Sequence, residues 1–276
     1  MCNITGCGPQ SNLPALTIDP KQRRLFLQGL ATLPLAAVLA YPELASAAAD
    51  TLTDVSLEVG DKKVTAALAM PEAEKAPAVI LIHEWWGLND SIKTVASELA
   101  KMGYIALAVD LYGGEVATDA EGAMGLMKAV DKDAATNTLT GWVDFLKNHE
   151  RSNGKVATMG WCFGGGWSLN ASVATPVDAT VIYYGRVTTP ADELKKLNGP
   201  VLGHFGKLDK SINEEMVAGF EKEMAAAGKS DDLTVHWYDA DHAFANPTGS
   251  RYDEKNAALS WERTSAFLAE QLGDKS

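Results

Sequence analysis

The stretch KVATMGWCFGGG (155–166) joins an apolar run to a turn that is crowded with glycine. The run KVATMG (155–160) predicts a buried strand, and residues 164–174 beyond the turn predict a helix. Cys162 lies in the turn itself, where it is a packing residue, a metal ligand, half of a disulfide or a nucleophile. A strand that passes directly into a helix is the repeating unit of α/β folds, so this stretch suggests a fold class and a candidate site together.

The same alternation of strand and helix continues along the chain and predicts one α/β domain. We expect a mostly parallel central sheet of about eight strands with helices on both faces. Asp90 is the candidate N-cap of the first helix of this series. The predicted strands are 55–59, 64–70, 78–83, 104–110, 155–160, 179–185, 200–206 and 233–238, and the predicted helices are 90–102, 119–148 in one or two pieces, 164–174, 211–228 and 252–272.

The first 47 residues predict an export signal that is removed. Arg23-Arg24 precedes a moderately apolar run, and Ala45-Ser46-Ala47 is a small-x-small cleavage site. This order resembles a twin-arginine signal, so we expect residues 1–47 to engage the Tat export machinery and residues 48–276 to form a periplasmic domain. The alternative is an ordinary amphipathic N-terminal helix.

Removal of the leader narrows the roles open to Cys162. The other two cysteines, Cys2 and Cys7, precede the cleavage site, so the mature chain would hold no internal disulfide. A lone cysteine is also a poor core for a metal site, and we expect neither metal nor cofactor. Two roles therefore remain for Cys162: a buried packing residue or a nucleophile. The net charge of −12 argues against nucleic acid or an anionic membrane as the mature protein's partner.

The loops that follow the predicted strands place chemical groups at one edge of the sheet. In parallel sheets ligands bind beyond the carboxyl ends of the strands, so the loops after 83, 110, 160, 206 and 238 should face one another. Cys162 sits in a G-x-C-x-G version of the nucleophile elbow, Asp209 follows strand 200–206, and His242 follows strand 233–238. Nucleophile, acid and histidine in this order are the arrangement of α/β-hydrolases. Asp239 and Asp241 are alternative candidates for the acid that orients His242, but both adjoin the histidine in sequence and are more typical of loop-forming residues.

The loop HEWWGLN (83–89) adds an oxyanion hole to this prediction. The backbone N–H groups of Trp85 and Phe163 are the two candidate donors. Glu84 is a carboxylate placed beside them, and its alternative role is a solvated or helix-capping acid.

Six segments together resemble the dienelactone hydrolase family over about 54–272: HEWWGLN (83–89), GYIALAVDLYGG (103–114), SNGKVATMGWCFGGG (152–166), YYGR (183–186), FGKLD (205–209) and VHWYDADHAFANP (235–247). The resemblance implies an α/β-hydrolase fold and a Cys162–His242–Asp209 triad that hydrolyses an ester or lactone through an acyl-thioester. It also implies that Glu84 meets the resting thiol and takes the cysteine proton when substrate binds.

The sequence departs from the family where dienelactone-specific members hold the substrate carboxylate with two arginines. Residues 120–124 contain no arginine, and Asn246 stands where the second belongs. Arg186 and Arg251 are candidate replacements, with a surface salt bridge as the alternative for each. The candidate substrate contacts are Trp86, Tyr112, Met124, Met127, Arg186, Phe244 and Asn246.

These observations predict an exported, cofactor-free hydrolase of small esters or lactones. Two alternatives stay open: a non-catalytic binding protein on the same fold, and a broader short-chain carboxylesterase or acetylesterase.

Overall fold

The computed structural model describes residues 35–273, which form one central sheet with helices on both faces. The strands are β1 (Thr53–Val59), β2 (Lys62–Ala69), β3 (Ala76–Ile82), β4 (Ile105–Val109), β5 (Ser152–Trp161), β6 (Ala179–Tyr183), β7 (Val201–Gly206) and β8 (Leu233–Tyr238). All eight predicted strands are confirmed within one to three residues at most ends.

The helices are α1 (Leu35–Ala40), α2 (Pro42–Ala49), α3 (Asp90–Lys101), α4 (Ala120–Ala129), α5 (Lys132–Asn148), α6 (Phe163–Ala174), α7 (Ala191–Leu194), α8 (Glu214–Ala226) and α9 (Glu254–Leu272), with a 3₁₀ turn at Ser230–Asp232. The five predicted helical regions are confirmed, and the region 119–148 is two helices. None of the helices within residues 35–273 combines the length and hydropathy that crossing a bilayer requires.

The sheet order is β1-β2-β4-β3-β5-β6-β7-β8. β1 and β2 form an antiparallel hairpin at one edge, β2 runs antiparallel to β4, and the strands from β4 to β8 are parallel. The predicted mostly parallel α/β fold is therefore confirmed. Because β3, β5, β6, β7 and β8 are consecutive neighbours, the loops at their carboxyl ends lie along one edge of the sheet.

Alternating side chains of the central strands fill two separate cores. In β3, Val79 and Leu81 pack on the face covered by α3 and α9, whereas Ile80 and Ile82 pack on the opposite face against α5. A strand buried on both faces needs an apolar residue at every position, and this explains the continuous run AVILI. The scaffold beneath the loops is thus packed on both sides.

Local capping corrects two of the predicted boundaries. Asn89, rather than Asp90, is the N-cap of α3, because its side-chain oxygen accepts a hydrogen bond from the N–H of Ile92 at 3.3 Å. Asn213 caps α8 in the same way, so that helix begins at Glu214 and not at residue 211. The shorter helix leaves residues 207–213 as the loop that carries Asp209.

The end of the predicted leader packs on the domain. Val38, Leu39 and Leu44 of α1 and α2 are buried, and the hydroxyl of Thr94 in α3 donates to the Ala45 carbonyl at 3.0 Å. The predicted cleavage motif lies within α2, with Ala45 and Ala47 buried. The twin-arginine pair, Cys2 and Cys7 lie outside the described residues.

Candidate active site

Cys162 occupies a strained turn between β5 and α6. Its backbone has φ 54° and ψ −114°, a left-handed conformation that is unfavourable for a residue with a Cβ. A Cβ on Gly160 would overlap the carbonyl oxygen of Gly164, and one on Gly164 would overlap that of Ile82. Only glycine fits on either side of the cysteine, which is the crowding that the G-x-C-x-G pattern predicts. The turn leaves Cys162 partly exposed at the N-terminus of α6.

His242 contacts both other members of the predicted triad. Its Nε2 lies 3.1 Å from the Cys162 sulfur, and its Nδ1 lies 2.6 Å from Oδ2 of Asp209. The loop after β8 sets this position: Asp241 accepts a hydrogen bond from the His242 N–H at 2.6 Å, and Ala243 has φ 61°. Asp241 therefore shapes the loop, as the sequence suggests, and Asp209 is the acid that faces the imidazole.

Asp209 is fixed by the backbone of its own loop. Its Oδ1 accepts hydrogen bonds from the N–H groups of Ser211 at 2.7 Å and Ile212 at 3.0 Å, which leaves Oδ2 for His242. The residue is only 4% exposed, and burial alone would raise its pKa. The hydrogen bonds from His242 and Ile212 outweigh burial and hold the pKa of Asp209 below its ordinary value. Asp209 is thus ionised at neutral pH.

His242 is held in its protonated form by the same contacts. Burial lowers its pKa, but the hydrogen bonds to Asp209 and Cys162 outweigh this and raise the pKa to about 10. An imidazolium that lies 3.1 Å from a sulfur stabilises the thiolate, which is the nucleophilic form of cysteine. The N-terminus of α6 adds a favourable dipole beside the same sulfur.

The Glu84 carboxylate is bonded to Asn246. Its Oε2 accepts a hydrogen bond from Nδ2 of Asn246 at 2.6 Å, and its Oε1 is buried. The thiol contacts His242, so the resting Glu84–thiol contact that the resemblance implies is absent from this structure. Burial raises the pKa of Glu84, and His242 and Asn246 partly offset that effect.

The two backbone N–H groups predicted to form an oxyanion hole are those of Phe163 and Trp85. Phe163 is the first residue of α6, directly after Cys162, and Trp85 follows Glu84 in the loop after β3. His83 fixes the second donor, because its Nδ1 donates to the Glu84 carbonyl at 2.6 Å while its Nε2 accepts from the Leu111 N–H at 3.2 Å. The N–H of Trp85 belongs to the same trans peptide as that carbonyl and therefore points the opposite way.

Comparison with known proteins agrees with this architecture. Residues 64–272 match the dienelactone hydrolase family. The chain belongs to that family. A carboxymethylenebutenolidase of Pseudomonas putida is 30% identical over 219 residues, covering 74% of this chain and 90% of that protein. Carboxymethylenebutenolidase 1 of Cupriavidus pinatubonensis is 26% identical over 212 residues, covering 73% of this chain and 89% of that protein.

A solved structure is similar over the whole of its length. It is a dienelactone-hydrolase-like promiscuous phosphotriesterase from metagenomic libraries, 25% identical to this chain. The TM-score is 0.73, and the match covers 81% of this chain and 100% of the other. The uncovered part of this dienelactone hydrolase family member is close in size to the stretch that precedes β1.

The candidate substrate contacts of this family member fall into three groups. Trp86 is half-buried and packs edge-on against Trp85, and Tyr112 donates a hydrogen bond to the Trp85 carbonyl at 3.2 Å, so both contact Trp85. Phe244 differs from the expectation: it is completely buried between Tyr184 and Tyr238 and supports the site from beneath. Asn246 contacts Glu84.

The remaining candidates lie further out. Met124 is exposed and Met127 is half-buried, and neither belongs to the hydrophobic clusters that surround the sheet. Arg186 and Arg251 are exposed, and neither forms an ion pair within residues 35–273. Arg251 is nevertheless near enough to Glu84 to lower the pKa of that carboxyl. In the described range, neither arginine is engaged in an ion pair that would prevent it from binding a substrate carboxylate.

The structure adds Tyr184, which the sequence analysis leaves out. The non-glycine residues with positive φ in the described range are Cys162, Ala243 and Tyr184, and all three lie in the site. Tyr184 is buried against His242, with ring centroids 5.2 Å apart, and its hydroxyl is near enough to Glu84 to help lower the pKa of that carboxyl. Applying the parallel-strand rule to β6, whose loop begins with Tyr184, would identify it.

A cavity of about 370 Å³ adjoins Glu84. Its walls include Leu39 of α1, Ile92 and Val95 of α3, and Trp261 of α9, and its lining includes neither Cys162 nor His242. The buried oxygen of Glu84 and the Tyr184 hydroxyl are both inaccessible to water. The space lies between α1, α3 and α9 and extends to Glu84, Tyr184 and Asn246.

Proposed function

We propose that this protein hydrolyses esters or lactones of small carboxylic acids, with Cys162 as the nucleophile. The observation that carries the proposal is the continuous contact from Cys162 through His242 to Asp209, with 3.1 Å at the sulfur and 2.6 Å at the carboxylate. The three side chains come from loops after β5, β8 and β7, and a chain of this kind supplies a nucleophile, a proton carrier and an orienting anion.

The acylation step follows from the charges in this chain. The thiolate of Cys162 attacks the substrate carbonyl carbon, and the N–H groups of Trp85 and Phe163 stabilise the oxyanion that forms. As the carbon–oxygen bond of the ester breaks, Nε2–H of His242 gives its proton to the departing alkoxide. The products of this half are a thioester on Cys162, an alcohol and a neutral imidazole. With a lactone, the alcohol stays attached to the acyl group.

The deacylation step restores the starting charges. Neutral His242 takes a proton from a water molecule as that water attacks the thioester carbonyl. The carbon–sulfur bond then breaks, releasing the carboxylic acid and returning the thiolate of Cys162 beside the imidazolium. Asp209 stays ionised throughout, since its role is to keep Nδ1–H of His242 in place and Nε2 directed at the sulfur.

The substrate that we propose lacks a carboxylate at the position where dienelactone carries one. Asn246 stands at one arginine position of the family and directs its amide to Glu84, and residues 120–124 supply no cation. A neutral amide provides no charge-assisted pair for an anionic group. Neutral short-chain esters and lactones therefore fit better than cis-dienelactone, unless Arg186 or Arg251 takes over the clamp.

The direct experiment compares the wild-type protein with Cys162→Ala. We expect the variant to lose hydrolysis of p-nitrophenyl acetate and of a panel of lactones, with its thermal unfolding close to wild type because the side chain is small and partly exposed. Undiminished turnover by Cys162→Ala would overturn the assignment. In the wild-type panel, cis-dienelactone turned over as well as neutral lactones would contradict the substrate proposal alone.

Titration of the thiol separates the enzyme from a non-catalytic binding protein on this fold. An ordinary cysteine reacts with iodoacetamide with an apparent pKa of about 8.5. We expect Cys162 to be alkylated faster than an ordinary cysteine at neutral pH, because Nε2 of His242 lies 3.1 Å from its sulfur. A longer-chain ester series then distinguishes a small-substrate hydrolase from a broader carboxylesterase.

We also propose that residues 1–47 are a twin-arginine leader and that the mature protein is periplasmic. The proposal is supported by the order of Arg23-Arg24, apolar run and Ala45-Ser46-Ala47. Because that motif lies in helix α2, cleavage requires α2 to unfold locally. N-terminal sequencing of periplasmic protein should begin near Ala48, and recovery of protein that begins at Met1 would refute cleavage.

A further inference from the structure

The loop after β3 is a tight turn that leaves one backbone N–H group unused. The Gly87 N–H donates to the Glu84 carbonyl at 3.3 Å, so Trp85 and Trp86 are the two central residues of the turn. Among the hydrogen bonds of residues 35–273, none has the N–H of Trp85 as its donor. This group is available to a substrate oxygen, and its direction depends on the two peptide groups that flank Trp85.

Both of these peptide groups are held by side chains. Nδ1 of His83 donates to the Glu84 carbonyl at 2.6 Å, and the Tyr112 hydroxyl donates to the Trp85 carbonyl at 3.2 Å. The Leu111 N–H can only donate, and it lies 3.2 Å from Nε2 of His83, so Nε2 is the acceptor and Nδ1 carries the hydrogen. Burial lowers the pKa of His83 to about 4, which keeps the ring neutral at neutral pH. The peptide that carries the Trp85 N–H therefore cannot rotate without breaking a hydrogen bond.

A cluster of three rings joins the residues of the two predicted oxyanion donors. The centroids of His83 and Tyr112 lie 4.6 Å apart, those of His83 and Phe163 5.8 Å, and those of Tyr112 and Phe163 5.6 Å. Tyr112 is itself anchored, because its N–H donates to Oδ1 of Asp110 at 2.8 Å. Since Phe163 carries the second predicted donor, the cluster fixes the loop after β3 relative to the start of α6.

We infer that Tyr112 is a positioning residue that, together with His83, directs the Trp85 N–H toward the substrate oxygen before substrate binds. The inference rests on the proposed function. It assigns the Tyr112 hydroxyl a contact with the backbone in place of the substrate contact that the sequence suggests, because its hydrogen is already donated to the Trp85 carbonyl. A donor that is oriented in advance stabilises the oxyanion without rearrangement in the transition state.

Tyr112→Phe is the cleanest test, because it removes the hydroxyl and keeps the ring in the cluster. We expect kcat for p-nitrophenyl acetate to fall about threefold to tenfold, the factor carried by one hydrogen bond, with KM close to that of the wild type. The rate of Cys162 alkylation by iodoacetamide should not change, because alkylation forms no oxyanion. Tyr104→Phe is the matched control, since Tyr104 is similarly buried but precedes β4, at the opposite end of the strand from Tyr112.

Two substitutions of His83 extend the test. Leucine offers neither a donor nor an acceptor, so His83→Leu should lower kcat about 100-fold or more, the effect of losing one oxyanion donor. The amide of glutamine offers both, so His83→Gln should recover most of that loss. In the His83→Leu background, Tyr112→Phe should have a smaller effect than in the wild type, because the peptide has already lost its orientation.

The outcomes separate this inference from its alternatives. A higher KM with unchanged kcat in Tyr112→Phe would overturn the inference and identify Tyr112 as a substrate contact. Alkylation that slows in step with hydrolysis would overturn it as well, because the effect would then act through the thiol. Failure of the proposed function would show separately, as hydrolysis that survives Cys162→Ala.

Discussion

Asp209→Asn is the substitution that tests the charge state of the site most directly. Oδ1 of Asp209 accepts from two backbone N–H groups, so an asparagine must place its own oxygen there and turn its NH₂ toward His242. An N–H donor opposite Nδ1 forces the imidazole into the tautomer that carries its proton on Nε2. In that form His242 cannot accept a proton from the thiol or from water.

The size of the effect follows from the pKa of His242. Asp209 and Cys162 together raise it from 6.5 to about 10 against the effect of burial. At about 1.4 kcal/mol for each pH unit, this rise corresponds to about 5 kcal/mol in favour of the imidazolium. The Asp209 hydrogen bond is the largest favourable contribution, so its loss should reduce hydrolysis by about 10³-fold or more.

Two measurements decide the outcome for Asp209→Asn. The rate of p-nitrophenyl acetate hydrolysis should fall by that factor, and the alkylation of Cys162 by iodoacetamide at neutral pH should become slower. Asp239→Asn is the control, since Asp239 is exposed in the loop before His242. A wild-type alkylation profile in folded Asp209→Asn protein would refute the argument that Asp209 holds the imidazolium in place.

Three further predictions concern stability. Gly164→Ala should destabilise the protein by about 3 kcal/mol or more, because the new Cβ would overlap the Ile82 carbonyl. Gly125→Ala, in open space on α4, should instead stabilise the protein by about 0.5–1 kcal/mol. Urea unfolding of the two variants and the wild type measures both changes in free energy. Asn89→Ala should cost about 1 kcal/mol in the same assay through loss of the α3 cap. Because the pKa of His242 is raised to about 10 in the folded state, its protonation stabilises the fold below pH 6.5, and this contribution should be lost as the pH rises from 6.5 to about 10. The difference in free energy of unfolding between wild type and His242→Gln, measured across this pH range, should reveal the loss.

The sequence predicts the fold and the relative order of the three catalytic candidates for one physical reason. Continuous apolar runs of five to seven residues that alternate with helices are typical of a parallel sheet covered on both faces, and such a sheet brings the residues after its strands to one edge. Cys162, Asp209 and His242 each lie within four residues of the carboxyl end of a strand. Their proximity therefore depends on strand order alone and not on side-chain detail.

Side-chain direction is what the sequence does not determine. Glu84 follows a strand in the same way as Cys162, yet its carboxylate turns to a residue 162 positions later in the chain. Similarly, Asn89 and Asp90 are equally good caps by composition, and the backbone at Asn89, with φ −96° and ψ 175°, selects the first. Each outcome depends on a single hydrogen bond between loops, which leaves no periodic pattern in the sequence.

The asparagine at position 246 links two features that the sequence presents separately. A cation at this position could bind a substrate carboxylate, whereas the amide that stands here has one donor group and directs it to Glu84. The same substitution thus removes a charge that would select anionic substrates and supplies a neutral anchor for the acid beside the nucleophile. Substrate range should therefore depend on the charge at position 246, and Asn246→Arg tests this: it should improve turnover of cis-dienelactone relative to neutral lactones, while the new guanidinium pairs with Glu84 in place of the amide. An unchanged preference for neutral lactones in the folded variant would show that position 246 does not select the substrate.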